Sequence, residues 1–239
     1  MNPEQRALWK TGEAPNPFYA DSREPLGREE ETRRIQTKLR AGNHCSIVGP
    51  PRSGKSLLLE AIQHEIPLWL HCPAEQVLLI HFREITSLKE LQEHIVNHLG
   101  GSRANELRSL LRHKPLRLLV LDDLGGMDPG ARGLAMRRWL RGLDDSAATK
   151  LLMVSNERLD VLFRKDDPRR DSPLAGLDPT PIDLDPLSIE TCRRIVALRL
   201  EGTGLDPGLF SELFQTPHQP RDLLHAAAAR YDALVNPRR

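Results

Sequence analysis

Hydrophobic residues in this chain occur in short runs that alternate with longer amphipathic stretches. Four of the runs are too short for buried helices and are bounded by polar or helix-breaking residues: HCSIVG (44–49), QVLLIHF (76–82), LRLLVLDD (116–123) and KLLMVSN (150–156). Continuous apolar runs of this length are typical of parallel strands that are covered on both faces. The pattern therefore predicts four strands of one parallel sheet.

Helical periodicity fills the stretches around these runs. Apolar residues recur at helical spacing in 27–43, in 87–100 and in 131–143. Strands and helices that alternate in this way indicate an α/β fold, in which helices cover both faces of a doubly wound parallel sheet.

The pattern changes near the carboxyl end of the chain. A last short strand is expected within PIDLDPL (181–187), and after it only helical patterns follow. The sequence thus predicts three parts: an extended, proline-rich arm over 1–27, an α/β core over 28–186, and a small bundle of three helices over 187–239.

Composition and charge limit which cellular compartment and which classes of binding partner are expected. Thirty-four Lys and Arg against 33 Asp and Glu leave a formal charge of +1, so no overall basic field indicates nucleic acid or an anionic membrane. Three widely spaced cysteines outside any metal-binding pattern favour a reducing compartment. No apolar segment approaches the roughly 18 residues that span a bilayer, and no signal peptide is recognisable. We expect a cytoplasmic protein without a membrane partner.

The stretch that follows the first predicted strand carries the strongest chemical signal. Its spacing satisfies G-x-x-x-x-G-K-[ST] and leads into the helical pattern SLLLEAI, which is the context of a phosphate-binding loop. The backbone amides of 53–56 would hold a β-phosphate, Lys55 would bridge β- and γ-oxygens, and Ser56 would ligate magnesium. The residues expected at the nucleotide are Gly49, Pro50, Pro51, Arg52, Ser53, Gly54, Lys55, Ser56 and Leu57.

Two carboxylates complete the predicted site. Asp122 and Asp123 follow the buried run LRLLV; Asp122 is expected to hold Mg²⁺, and Asp123 to orient or deprotonate the attacking water. Ser155 and Asn156 end the next run, where they would either sense the γ-phosphate or simply cap a helix. Since no acceptor pocket or arginine-bearing lid of a small-molecule kinase is recognisable, the pattern favours hydrolysis by water.

With these motifs the chain resembles the AAA-like P-loop ATPases of the STAND class (signal-transducing ATPases with numerous domains) and their archaeal-type relatives. The resemblance extends over about 16–235. The segments that carry it are NPF (16–18), PLGREEE (25–31), VGPPRSGKS (48–56), LLVLDD (118–123), LLMVSN (151–156), SPLAGL (172–177), DLDPLSIE (183–190) and the Pro-Arg pair at 220 and 221.

The resemblance implies roles for residues outside the loop. Leu26, Gly27 and Arg28 would line an adenine pocket, unless this segment merely starts a charged helix. Pro220 and Arg221 would belong to a helical lid in which Arg221 reads the γ-phosphate; alternatively they are an ordinary first-turn proline and a surface charge.

The sequence also departs from the family. Relatives usually carry a glycine pair in the lid turn, where this chain has Pro217 and His218. Arg164, Arg169 and Arg170 occupy the region in which ring-forming relatives place an arginine finger, although a solvated charged loop is the favoured explanation. A finger would make hydrolysis depend on a homo-oligomer.

The resemblance leads to two main functional hypotheses. The first is an ATP-binding and ATP-hydrolysing switch, with ATP/ADP and Mg²⁺ as cofactors, that is read by a separate effector or sensor protein. The second is a DNA-associated helper ATPase, because LLVLDDLGG resembles the corresponding strand of helicase loaders and transposition helpers. A module that binds nucleotide for structure alone is a third reading, which the complete set of Lys55, Ser56, Asp122 and Asp123 disfavours.

Overall fold

The computed structural model describes residues 16–18, 27–128, 130–147, 149–163, 173–174 and 176–235. They group into two compact units. The sheet unit comprises Glu30–Pro50 and Leu58–Leu184, and the helical unit comprises Met1–Glu29, Pro51–Leu57 and Asp185–Arg239, in both cases as far as these ranges are described.

The sheet unit contains the predicted parallel sheet. Its strands are β1 (Cys45–Val48), β2 (Val77–His81), β3 (Leu118–Asp122), β4 (Lys150–Ser155) and β5 (Ile182–Asp183). They lie in the order β2-β3-β4-β1-β5, and every neighbouring pair is parallel. The α/β fold and its strands are therefore confirmed. The carboxyl ends of β1, β3 and β4 meet at one edge, where parallel sheets of this kind bind ligands.

Helices cover both faces of the sheet. They are α1 (Glu29–Arg40), α2 (Lys55–Ile62), α3 (Ile66–Trp69), α4 (Leu88–His98), α5 (Leu107–His113), α6 (Ala131–Ala147) and α7 (Leu159–Leu162). Alternate residues of β3 face two separate cores: Leu118 and Val120 pack in the core that contains Ile35 of α1, whereas Leu119 and Leu121 pack in the core that contains Leu91 of α4.

The helical unit consists of α8 (Ile189–Leu200), a 3₁₀ helix (Pro207–Phe214) and α9 (Pro220–Val235). Ser188 caps α8, since its side chain accepts a hydrogen bond from the Thr191 amide. The sequence predicted a helix for the middle element without specifying its type. This element begins with Pro-Gly and spans eight residues, which is long for a 3₁₀ helix. In the described residues no helix is both long enough and apolar enough to cross a membrane.

The NPF segment of the predicted arm is anchored on this helical bundle. The Phe18 ring, only 4% exposed, lies 5.8 Å from the ring of Phe210 and 6.2 Å from that of Tyr231. Asn16 Nδ2 donates to the carbonyl of Ala228 at 3.0 Å, and Asn16 Oδ1 accepts from the Phe18 amide. The segment therefore belongs to the core of the helical unit.

Candidate nucleotide-binding site

The predicted phosphate-binding loop lies between β1 and α2, and α2 begins at Lys55. Two of its residues have left-handed backbone conformations, Arg52 with φ 70° and Gly54 with φ 90°. Left-handed residues set among right-handed ones turn consecutive N–H groups toward a common centre, which makes a concave site for an anion. The loop opens a helix, whose amino-terminal dipole favours the same negative charge.

Ser53 lies at the middle of this loop and is completely buried. Its Oγ atom is buried without a hydrogen-bond partner among the described residues. A buried hydroxyl without a partner is costly, and a bound phosphate would satisfy it. The loop residues therefore fit a phosphate-bearing ligand.

Arg28 forms a hydrogen bond with the backbone of the loop. Its guanidinium Nη2 donates to the Ser53 carbonyl at 3.1 Å and to the Asp185 carbonyl at 2.7 Å, and only 5% of the residue is exposed. The sequence suggested Arg28 for an adenine pocket and gave no signal for this contact with the loop. The structure thus places Arg28 beside the predicted nucleotide residues, with its charged end on the loop backbone.

Gly27 adopts a left-handed conformation with φ 80°. A Cβ atom at this position would lie 2.4 Å from Cγ2 of Thr191, so that only glycine fits. Two residues later, Glu29 accepts a hydrogen bond from Arg194; this bond and backbone hydrogen bonds lower the pKa of Glu29, although partial burial, the largest single influence, acts in the opposite direction. Leu26, the third residue of the predicted adenine pocket, lies outside the described residues.

The first turn of α9 contacts the loop within the helical unit. Cγ of Pro220 lies 3.4 Å from the place where a Cβ on Gly54 would be. Asp222 Oδ1 accepts a hydrogen bond from Arg52 Nη1 at 3.1 Å. Arg221 is exposed. The sequence singled out Pro220 and Arg221 but missed Asp222, which is the residue that pairs with a loop side chain.

The sheet unit brings its predicted site residues to the carboxyl edge. Asp122 ends β3 and is 7% exposed, and its Oδ2 lies 3.1 Å from Nδ1 of His81, its register partner on β2. Asp123 has a left-handed backbone with φ 56°, and its Oδ2 accepts a hydrogen bond from Arg83 Nε. Sequence reasoning missed both His81 and Arg83, because neither belongs to a recognised motif.

The end of β4 lies beside β1. The Gly49 amide donates to the Ser155 carbonyl at 3.2 Å, which joins the start of the loop to the last residue of β4. The Ser155 hydroxyl donates to the Glu157 carbonyl at 2.5 Å, which differs from a helix cap, because a capping side chain accepts a hydrogen bond from a backbone amide. Asn156 is exposed.

Metal binding and the arginine finger complete the predicted site. Among the described residues no three His, Cys, Asp or Glu side chains cluster as a metal site. Mg²⁺ usually takes one or two protein oxygens together with phosphate and water, and the predicted ligands Ser56 and Asp122 each carry a side-chain oxygen. Arg164, Arg169 and Arg170 lie outside the described residues.

The chain matches no protein-family model and no curated protein sequence. It is similar to several solved structures. A Walker-type ATPase of Pyrococcus abyssi has a TM-score of 0.66 at 20% identity, over 92% of this chain and 72% of that one. The ORC2 protein of Aeropyrum pernix in ADPNP–ADP complexes has a TM-score of 0.64 at 16% identity, over 92% and 64%.

The ORC1 protein of Aeropyrum pernix, solved in complex with DNA, has a TM-score of 0.62 at 18% identity, over 98% of this chain and 65% of that one. This chain thus spans about two thirds of the length of these proteins. At such identities the likeness establishes the fold: the chain has the fold of the AAA-like P-loop ATPases.

Proposed function

We propose that this chain is an ATP-binding and ATP-hydrolysing switch of the AAA-like class, with the STAND proteins as the particular group. The observation that carries the proposal is the loop 51–57, which has left-handed residues at Arg52 and Gly54 and a buried Ser53 hydroxyl without a hydrogen-bond partner among the described residues. ATP is preferred to GTP because no guanine-reading N-K-x-D motif follows a strand.

In this proposal each predicted residue has one task. Lys55 neutralises the β- and γ-phosphates, while Ser56 and Asp122 hold Mg²⁺, which would supply charge stabilisation to the transferring phosphoryl group. Asp123 orients the attacking water. Ser155, Asn156 and Arg221 are the remaining candidates for contact with the γ-phosphate.

The contacts of the loop with α9 support a switch. Pro220 packs on Gly54 and Asp222 pairs with Arg52, so a phosphate that repositions the loop would alter both contacts. Residues 187–239 would then act as the lid of a core formed by 28–186. A separate effector or sensor protein would read the position of this lid.

ATP turnover by the purified chain tests the proposal. Lys55→Ala should abolish nucleotide binding, whereas Asp123→Asn should keep binding and lower turnover at least about a hundredfold, the typical contribution of a general base. Lys89→Ala is a matched control, because Lys89 is an exposed lysine on α4. Equal turnover in wild type and Asp123→Asn would refute the role of Asp123, and undiminished ATP binding by Lys55→Ala would refute the site.

Association with DNA is a second candidate function. It is supported by the likeness to the ORC1 protein, which was solved in complex with DNA. Two arginine-rich segments, 98–114 and 132–142, were the sequence-based candidates for contact. Stimulation of ATP turnover by DNA, together with DNA binding that weakens steeply as the salt concentration increases, would support this function.

A further inference from the structure

A second, basic groove lies in the sheet unit at the edge opposite to Asp122 and Ser155. Its cavity has a volume of about 710 Å³, within the range of ligand sites. Leu39, Gly42, Trp69 and Leu70 form the apolar and backbone part of its lining. Four basic side chains complete the lining: Arg40, His71, Arg117 and Lys150.

These basic residues come from four separate places in the sequence. Arg40 is the last residue of α1, His71 follows α3, Arg117 immediately precedes β3, and Lys150 begins β4. The parallel sheet brings them together, since all four lie where strands begin or where helices that lead back to strands end. No Asp or Glu is among the described residues that line the groove.

Arg117 and Lys150 are direct neighbours in the sheet. The Lys150 amide donates to the Arg117 carbonyl at 3.0 Å, and the Arg117 amide donates to the Gln76 carbonyl at 2.8 Å. Lys150 also occupies the face of β4 on which Leu152 and Val154 pack in an apolar core. Arg117 and Lys150 thus place two cationic residues side by side at the start of β3 and β4.

His71 provides an independent indication. It has a left-handed backbone with φ 49° just after α3, a position at which helices usually carry glycine. Its amide donates to the Leu68 carbonyl, as in a helix end of this type. His71 thus has a strained backbone at this turn, and it is one of the residues that line the groove.

We infer, building on the DNA association proposed above, that this groove binds the phosphate backbone of DNA. The guanidinium groups of Arg40 and Arg117 are both exposed and can donate to phosphate oxygens. Trp69 is only 5% exposed, so the aromatic ring in the lining is covered and does not offer a stacking surface. The groove therefore binds through phosphates, without preference for base sequence.

Fluorescence anisotropy with a labelled DNA duplex and the full chain tests this inference. Arg117→Gln/Lys150→Gln should weaken binding about tenfold or more. It should also lower the slope of log K against log salt by about two, because each phosphate contact contributes about one. ATP binding should stay unchanged, since neither residue belongs to the phosphate loop.

A control with the same change in charge removes two exposed cations elsewhere. In Arg33→Gln/Lys89→Gln the wild-type side chains are 67% and 80% exposed and pair with nearby glutamates on their own helices. This variant should keep the wild-type affinity and salt slope. His71→Gly relieves the left-handed strain, so its thermal midpoint should not fall, while duplex binding should weaken. That variant keeps the test valid if the double variant does not fold.

The outcomes separate this inference from the function on which it rests. Wild-type chain that binds no duplex would refute the DNA association together with the groove. If the groove variants and the control bind the duplex equally well, the role of the groove is refuted, while the DNA association itself is not. Inorganic tripolyphosphate and polyglutamate serve as competing polyanions. If either one binds with the affinity of the duplex and is weakened by the same variants, the assignment of the ligand to DNA is overturned.

Discussion

Arg83 Nε donates a hydrogen bond to Asp123 Oδ2, although 40 residues separate the two in sequence. β2 and β3 are parallel neighbours, and both side chains lie just beyond the carboxyl ends of these strands. Asp123 is the proposed water-orienting carboxylate. Its oxygen is thus already occupied by a guanidinium whose side chain is 81% exposed.

Arg83→Ala should raise basal ATP turnover about two- to fivefold. The reason is that the carboxylate of Asp123 would be free to bind water, and an exposed ion pair is worth about 0.2–1 kcal/mol. Steady-state turnover of the purified chain measures the effect. Arg83→Lys, which preserves the charge, should stay near the wild-type rate. A rate that falls in Arg83→Ala would instead show that the arginine positions Asp123 for catalysis.

Gly27→Ala should destabilise the helical unit by about 1–3 kcal/mol and weaken ATP binding. Alanine would have to adopt φ 80° and would clash with Cγ2 of Thr191 at 2.4 Å. Urea unfolding measures the free energy of unfolding. Gly42→Ala is the matched control, because Gly42 also has φ 71° but has open space around an added Cβ. Equal losses in both variants would rule out the clash with Thr191.

Phe18→Ala should lower the free energy of unfolding by about 3–5 kcal/mol, the usual cost of removing a buried aromatic ring. The ring contacts Phe210 and Tyr231 in the core of the helical unit. Phe18→Leu, which preserves much of the apolar volume, should cost less than about 1.5 kcal/mol. A loss below about 1 kcal/mol in Phe18→Ala, measured by urea unfolding, would mean that the NPF segment contributes little to the bundle.

The stability of the chain should fall at alkaline pH, in part through Cys45. Burial raises the pKa of the Cys45 thiol from 9.0 to about 12. Between these values the unfolded chain has lost the thiol proton while the native chain retains it, so the unfolded state binds fewer protons and the free energy of unfolding decreases as pH rises. Urea unfolding at several pH values above 9.0 measures this decrease.

Cys45→Ala separates this thiol from the other groups that titrate at high pH. The variant should lose stability less steeply than wild type over the same range, although alanine makes it less stable at neutral pH. Identical slopes in the two proteins would show that the Cys45 thiol does not contribute to the alkaline loss of stability.

The strands, and the backbone of the predicted phosphate loop, follow from signals that are local. G-x-x-x-x-G-K-[ST] contains the glycine that the left-handed position 54 requires and the lysine that opens α2. Within LRLLVLDD, residues 118–121 are all apolar because β3 is buried on both faces, and the carboxylates follow at the point where the strand emerges. Each of these features depends only on residues that are close together in sequence.

The 3₁₀ helix shows a property that the local pattern did not specify. PGLFSELF has apolar residues at spacings that suit an α-helix, but the pattern does not distinguish the two helical geometries over eight residues. Docking against the rest of the bundle, in which Phe210 and Phe214 are buried, decides such a short element.

The sequence by itself determined the class of fold, the predicted phosphate loop and the pair of carboxylates after β3. Only the tertiary structure decided which side chains meet them. Register in the sheet sets His81 beside Asp122 and Arg83 beside Asp123, and the fold brings Arg28 to the carbonyl of Ser53. The basic groove likewise exists only because parallel strands align their starts at one edge. Such contacts join residues far apart in the chain, so no local pattern of residues encodes them.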